Sequence, residues 1–112
     1  MPDDRRRLRD IVACADELAG FLAGKDLEGF LADRVLQRAT ERLLTILGEA
    51  AKQLSPETRQ AIDQPWREII RLRDKGIHAY DSLNPSTLHR ITTESVPALR
   101  EAVARSPAGG SA

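Results

Sequence analysis

From Val35 to Leu54 the chain runs without a proline, and its apolar side chains fall at Val35, Leu36, Ala39, Leu43, Ile46, Leu47, Ala50, Ala51 and Leu54. Steps of three and four trace one face of an α-helix of about five turns. A helix with such a stripe is stable only if other elements cover it, so the rest of the chain has to supply them. Gly48 interrupts the stripe and should cost about 1 kcal/mol relative to alanine. A glycine retained there predicts that another helix comes close to the backbone. Its neighbour Glu49 has two readings, a solvated surface carboxylate or an anchor for Arg73, and the surface is the default.

The covering elements are legible on both sides. Leu8, Ile11, Val12, Ala15, Leu18, Ala19 and Leu22 form a first helical stripe, with Asp3 or Asp4 as its cap and Gly20 and Gly24 as stop signals. Asp26 to Phe30 predicts a short helical turn. Ser55-Pro56 and Asn84-Pro85 each place a capping side chain before a proline at the first helical position, where its missing donor does no harm. Gln64-Pro65 repeats the device ahead of Trp66, Ile69, Ile70 and Ile77. The last stripe is Leu88, Ile91, Ser95, Leu99 and Val103, with Pro97 expected to kink it and release a carbonyl one turn earlier.

No strand-like alternation and no hairpin dipeptide occurs, so the expected fold is all-α, an antiparallel four-helix bundle with short connecting helices. Residues 1–105 form one domain, and the tail 106–112, Ser-Pro-Ala-Gly-Gly-Ser-Ala, has nothing to bury and is expected to be disordered.

Charge and cysteine content narrow the function classes. Lys plus Arg and Asp plus Glu both number 17, so no global field draws nucleic acid to the chain, and any such binding must use a local patch. The basic run Arg5, Arg6, Arg7 and Arg9 is read as a solvated helix start in preference to a nucleic-acid contact. Cys14 is the one cysteine, which excludes an intrachain disulfide framework and a thiolate metal cluster. No apolar run reaches membrane-spanning length, and no signal-peptide core follows the basic start. The expectation is a soluble cytoplasmic protein with no membrane association and no cofactor.

The chemistry is concentrated in Arg71-Leu72-Arg73-Asp74-Lys75-Gly76-Ile77-His78-Ala79-Tyr80. Arg73 offers a planar fork that matches two phosphate oxygens. His78 is the residue type best suited to moving protons near neutral pH. Asp74, four residues before His78, can accept from a ring nitrogen and fix its tautomer. Tyr80 adds a phenol. On a continuous helix Arg73 and Tyr80 share a face, about 20° apart, whereas His78 sits about 140° from Arg73. One straight helix therefore cannot aim Arg73 and His78 at a single phosphate. Either the helix loosens at Gly76, or a second subunit supplies the missing group. His89 lacks such company and is expected at the surface. Trp66 is read as a core or interface anchor, since four aromatic residues make a poor base-stacking surface.

Arg73, His78 and Tyr80 in the pattern Arg-x4-His-x-Tyr resemble the signature of the HEPN superfamily. The runs Ile46-Leu47-Gly48-Glu49-Ala50-Ala51-Lys52, Leu54-Ser55-Pro56-Glu57 and Pro65-Trp66-Arg67-Glu68-Ile69 are similar to those of its HepT toxin branch. The likeness covers roughly Asp33 to Val103, and departs at Gly76, where a larger apolar residue is usual, and at Asp81, where an aromatic is common. It implies the same helical bundle, a two-fold homodimer with the motifs facing across a shared cleft, and a metal-independent endoribonuclease toxin. In that reading Arg73 and His78 are catalytic, Asp74 supports His78, and RNA is the substrate. The partner it implies is a small nucleotidyltransferase antitoxin of the MntA kind, which transfers AMP to Tyr80, as in a type VII-like toxin–antitoxin pair. Two rival readings are a non-catalytic HEPN binding or scaffold subunit of a nucleotidyltransferase complex, and a plain dimerising bundle without a ligand.

Overall fold

The computed structural model describes residues 2–77 and 84–107. Every regular element among them is helical: α1 (Pro2–Leu22), α2 (Leu27–Leu31), α3 (Arg34–Lys52), α4 (Pro56–Ala61), α5 (Trp66–Ile77), α6 (Pro85–Arg90), a π-helical turn (Ile91–Ser95) and α7 (Val96–Arg105). The proline-free helix α3 lies at the centre, with α5 against one side and α1 against the other, and α1 also packs on α7. The long helices α1, α3 and α5, with α6 and α7 as one bent rod, make the expected antiparallel four-helix bundle. Of the tail 106–112, residues 108–112 lie outside the described residues.

Leu8, Ile11 and Leu18 from α1, Phe30 from α2, Leu44 and Leu47 from α3, and Leu88, Leu99 and Val103 from the last rod are fully buried together. Each large side chain so buried contributes about 1.5–3 kcal/mol relative to exposure. Cys14 is buried among them, and burial, with Glu17 and Asp10 nearby, pushes its thiol above the usual range. That favours the unreactive protonated form.

The buried face of α3 is rotated from the one its apolar residues predict. Val35 is 80% exposed and Ile46 38% exposed, while Leu44, Gln37 and Thr40 are interior. Gln37 is inside because its amide Nε2 donates to the Phe30 and Leu31 carbonyls, at 2.9 and 3.1 Å, and so closes the C-terminal end of α2. The Thr40 hydroxyl has no hydrogen-bond partner, and nothing in the structure explains it.

Local signals set most helix ends. Asp26, Asp33, Ser55 and Asn84 accept from the backbone N–H of Gly29, Leu36, Thr58 and Ser86 respectively. Helix α1 runs through Gly20 and stops before Gly24, whose φ of 74° is a left-handed conformation that favours glycine. The helix also starts earlier than its apolar stripe, so Asp3 and Asp4 sit in the first turn and neither caps it. Asp4 instead serves α4. Its carboxylate accepts from the Ser55 backbone N–H at 3.0 Å, the Ser55 hydroxyl at 2.5 Å and the Thr58 hydroxyl at 2.6 Å. In a capping box the donor of the cap residue is satisfied by a side chain three positions on; here a carboxylate from the first turn of α1, 51 positions earlier in the chain, supplies it.

The last rod departs from the stripe expected of it. Pro97 cannot donate, and the ladder before it widens so that the Val96 N–H reaches the Ile91 carbonyl, five residues back. Thr92 and Thr93 turn their hydroxyls onto the Leu88 and His89 carbonyls, which bends a helix further. The inserted residue shifts the register, so the inward face is Leu88, Thr92, Val96, Leu99 and Val103, with Ser95 exposed. His89 is half-buried, its ring tilted against Phe30 at a centroid distance of 5.3 Å.

Candidate functional site

Gly48 is where the two central helices touch. A Cβ on this residue would lie 2.8 Å from the Arg73 backbone nitrogen and 2.9 Å from the Ile69 carbonyl oxygen. Only a glycine lets α3 and α5 approach this closely. The predicted close approach is thus present, and the helix that makes it is the one carrying Arg73.

The contact brings the next residue of α3 beside Arg73. Glu49 Oε2 accepts from Arg73 Nε at 2.6 Å, and Glu49 Oε1 accepts from Gln53 Nε2 at 3.2 Å. The hydrogen bond from Arg73, then that from Gln53, holds the Glu49 carboxyl below its ordinary range against a small opposing effect of burial. The side chains are 27% exposed for Arg73 and 50% for Glu49. An ion pair this wet adds little to stability. Its consequence is positional: the guanidinium is held at one edge of the bundle with its orientation set from a second helix. Of its two readings, the anchor is the one observed, although the side chain is also half in solvent. The signal that could have decided the matter is Gly48, because a point of backbone contact places its neighbour against the other helix.

Helix α5 is unbroken from Trp66 to Ile77, so Gly76 does not interrupt it. Asp74 belongs to this helix in its backbone, while its side chain, and the whole of His78 and Tyr80, lie outside the described residues. Of the four proposed site residues, Arg73 alone has its surroundings established. Trp66 is an anchor: it is buried, and its indole Nε1 donates to the Arg59 and Ile62 carbonyls at 2.9 and 2.8 Å, tying α5 to α4.

Among the described residues, no group of three His, Cys, Asp or Glu side chains is placed to hold a metal ion, and no helix is long and apolar enough to cross a membrane.

Residues 11–106 match the model of the family described as ribonuclease HepT-like. A protein described as a probable ribonuclease HepT from Thermococcus cleftensis is 35% identical over 94 residues, 83% of this chain and 86% of its own. A protein named as a candidate RNase from Caldanaerobacter subterraneus subsp. tengcongensis is 36% identical over 104 residues, 92% of this chain and 93% of its own. Another so named, from Methanocaldococcus jannaschii, is 29% identical over 102 residues, covering 90% and 94%. No solved structure matches the chain.

Proposed function

Because the chain belongs to the HepT-like ribonuclease family, we propose that it is the toxin of a toxin–antitoxin pair and cleaves RNA, without a metal, at a site completed by a homodimer. The observation that carries this reading is the Arg73–Glu49 contact: a guanidinium oriented from two helices is pre-organised to receive a phosphate. In the reaction the 2′-oxygen of the RNA attacks the adjacent phosphorus while His78 takes its proton. The P–O5′ bond breaks, and the leaving 5′-oxygen takes up a proton. The products are a 2′,3′-cyclic phosphate and a 5′-hydroxyl end. Arg73 holds the non-bridging oxygens and stabilises the charge that grows on them; Asp74 orients His78.

Two features support a dimer. The unbroken α5 favours a site shared between protomers over one loosened at Gly76. Val35 and Ile46, about 20° apart around α3, also leave apolar side chains exposed along the helix that carries Glu49. In the same proposal a small nucleotidyltransferase silences the toxin. The Tyr80 hydroxyl attacks the α-phosphorus of ATP, pyrophosphate leaves, and the attached AMP sets a negative charge in the place of the RNA phosphate.

The test is incubation of the purified protein with single-stranded RNA in excess EDTA, followed by analysis of the new ends. Cyclic phosphate and 5′-hydroxyl ends, absent with His78→Ala, are expected. Cleavage abolished by the chelator, or equal cleavage by the variant, contradicts the scheme.

A further inference from the structure

Apart from the Arg73–Glu49 pair, α4 and α5 enclose an open groove of about 660 Å³. Arg59 from α4 and Arg67 and Arg71 from α5 line it, with Trp66, Ile70 and Pro56 as its apolar part. No acidic residue lines it, and none of the three arginines pairs with a carboxylate among the described residues. Glu57 and Glu68 stand beside the lining residues in sequence but are exposed and take no part in it. In a chain of zero net charge, three arginines on one hollow, none paired with a carboxylate among the described residues, are a concentration of charge that needs a reason.

We propose that this groove is a subsite for the backbone of single-stranded RNA, separate from the point of cleavage. The proposal rests on the ribonuclease reading and adds to it where the strand runs. Arg67 and Arg71 are one helical turn apart on one face, roughly 6 Å between Cβ atoms, so they present two successive forks along the groove. Arg71 is about 3 Å in axial rise from Arg73, so a strand held at Arg73 reaches the groove by crossing the exposed side of α5. Phosphates meet the guanidinium forks, and sugars and base edges lie on the apolar part. The Trp66 ring contributes only its edge: it is 9% exposed and its N–H is already spent on α4. The subsite therefore recognises backbone and carries no base preference.

The experiment measures binding and cleavage separately. Binding of a fluorescent single-stranded oligonucleotide, 2′-O-methylated so that it cannot be cut, is titrated at several salt concentrations with the full-length protein. The variants are R67Q/R71Q, the single R71Q, and R5Q/R9Q, which removes the same charge at the same spacing from exposed positions of α1; thermal melts establish that each is folded. Removing two phosphate contacts should lower the salt slope by about 1.4 and weaken binding roughly 10–30-fold near 0.1 M salt. R71Q should give about half the change in slope and R5Q/R9Q close to none. With cleavable RNA the KM should rise while kcat holds. Unchanged affinity and slope in folded R67Q/R71Q, with wild type binding and cutting RNA normally, overturns the subsite and leaves the ribonuclease reading intact. So does a variant that binds RNA normally but loses a protein partner, which would make the groove a docking surface. A wild-type protein that neither binds nor cuts RNA overturns both.

Discussion

Arg73 Nε donates to Glu49 Oε2 across 2.6 Å, joining the last turn of α3 to α5 beside it. If this contact orients the guanidinium for a phosphate, Glu49→Gln should lower the rate of RNA cleavage, since a small misplacement of a positioning group can cost up to about 100-fold. Melting temperature should barely move, because both side chains are substantially in solvent. The carboxyl is held below its ordinary range, so the pair persists as pH falls until it passes below about 4.3, the unperturbed glutamate value. A fall in wild-type kcat between pH 7 and 5 must then come from another group and should remain in Glu49→Gln. If that fall disappears in the variant, Glu49 has been given the wrong part.

Gly48→Ala should destabilise the protein although alanine is the better helix former. The added methyl meets backbone atoms at 2.8 and 2.9 Å, which cannot swing aside as a side chain can. Separating α3 from α5 should cost about 1–3 kcal/mol, against about 1 kcal/mol gained in helix propensity. The expected result is a lower urea midpoint together with a loss of cleavage larger than instability explains, because the same shift moves Arg73 relative to Glu49. A variant of raised stability and full activity would mean that the helices are not in close contact there.

This glycine also shows what kind of information a sequence carries. Gly48 inside a long apolar stripe is legible, because its local cost requires a compensating contact. The same holds for Ser55 and Asn84, whose caps depend on residues two or three positions away. The outward turn of Val35 and Ile46 is not legible, because it depends on Gln37 finding the end of α2. Nor is the register shift before Pro97, where a proline predicts a disturbance but not whether the helix kinks or takes in a residue. The groove arginines come from two helices, and no spacing along the chain links Arg59 to Arg71. At the candidate site, the composition of the motif was legible and its geometry only as far as Arg73.

Asp4 offers a test of long-range capping. Burial would raise its pKa, but the hydrogen bonds from Ser55 and Thr58 outweigh burial and leave it below the ordinary value. A carboxyl depressed in the folded state stabilises the fold above its unfolded pKa of about 3.9, and that contribution is lost as pH falls through the folded value. Asp4→Asn should therefore cost about 1–3 kcal/mol in urea unfolding at pH 7, where charge-assisted hydrogen bonds are lost. The gap to wild type should close as pH falls below about 4. A gap of constant size from pH 7 to pH 3 would show that the carboxylate charge is not what matters.

The shared site can be tested by complementation, because the two ways of assembling it give opposite results. On a continuous helix about 140° separates positions 73 and 78, and α5 runs without a break to Ile77. If each site takes Arg73 from one protomer and His78 from its mate, Arg73→Ala and His78→Ala homodimers are both inactive. A mixed dimer then concentrates both lesions in one site and leaves the other with a native arginine and a native histidine. Random exchange makes half the dimers mixed, each with one of two sites intact, so a 1:1 mixture should recover about a quarter of wild-type activity. If each protomer builds its own site, every site in the mixture carries one lesion and no activity returns. Mixing after chemical cross-linking of the separate homodimers should abolish the recovery, which ties it to subunit exchange. Recovery that survives cross-linking, or none without it, rules out the composite arrangement.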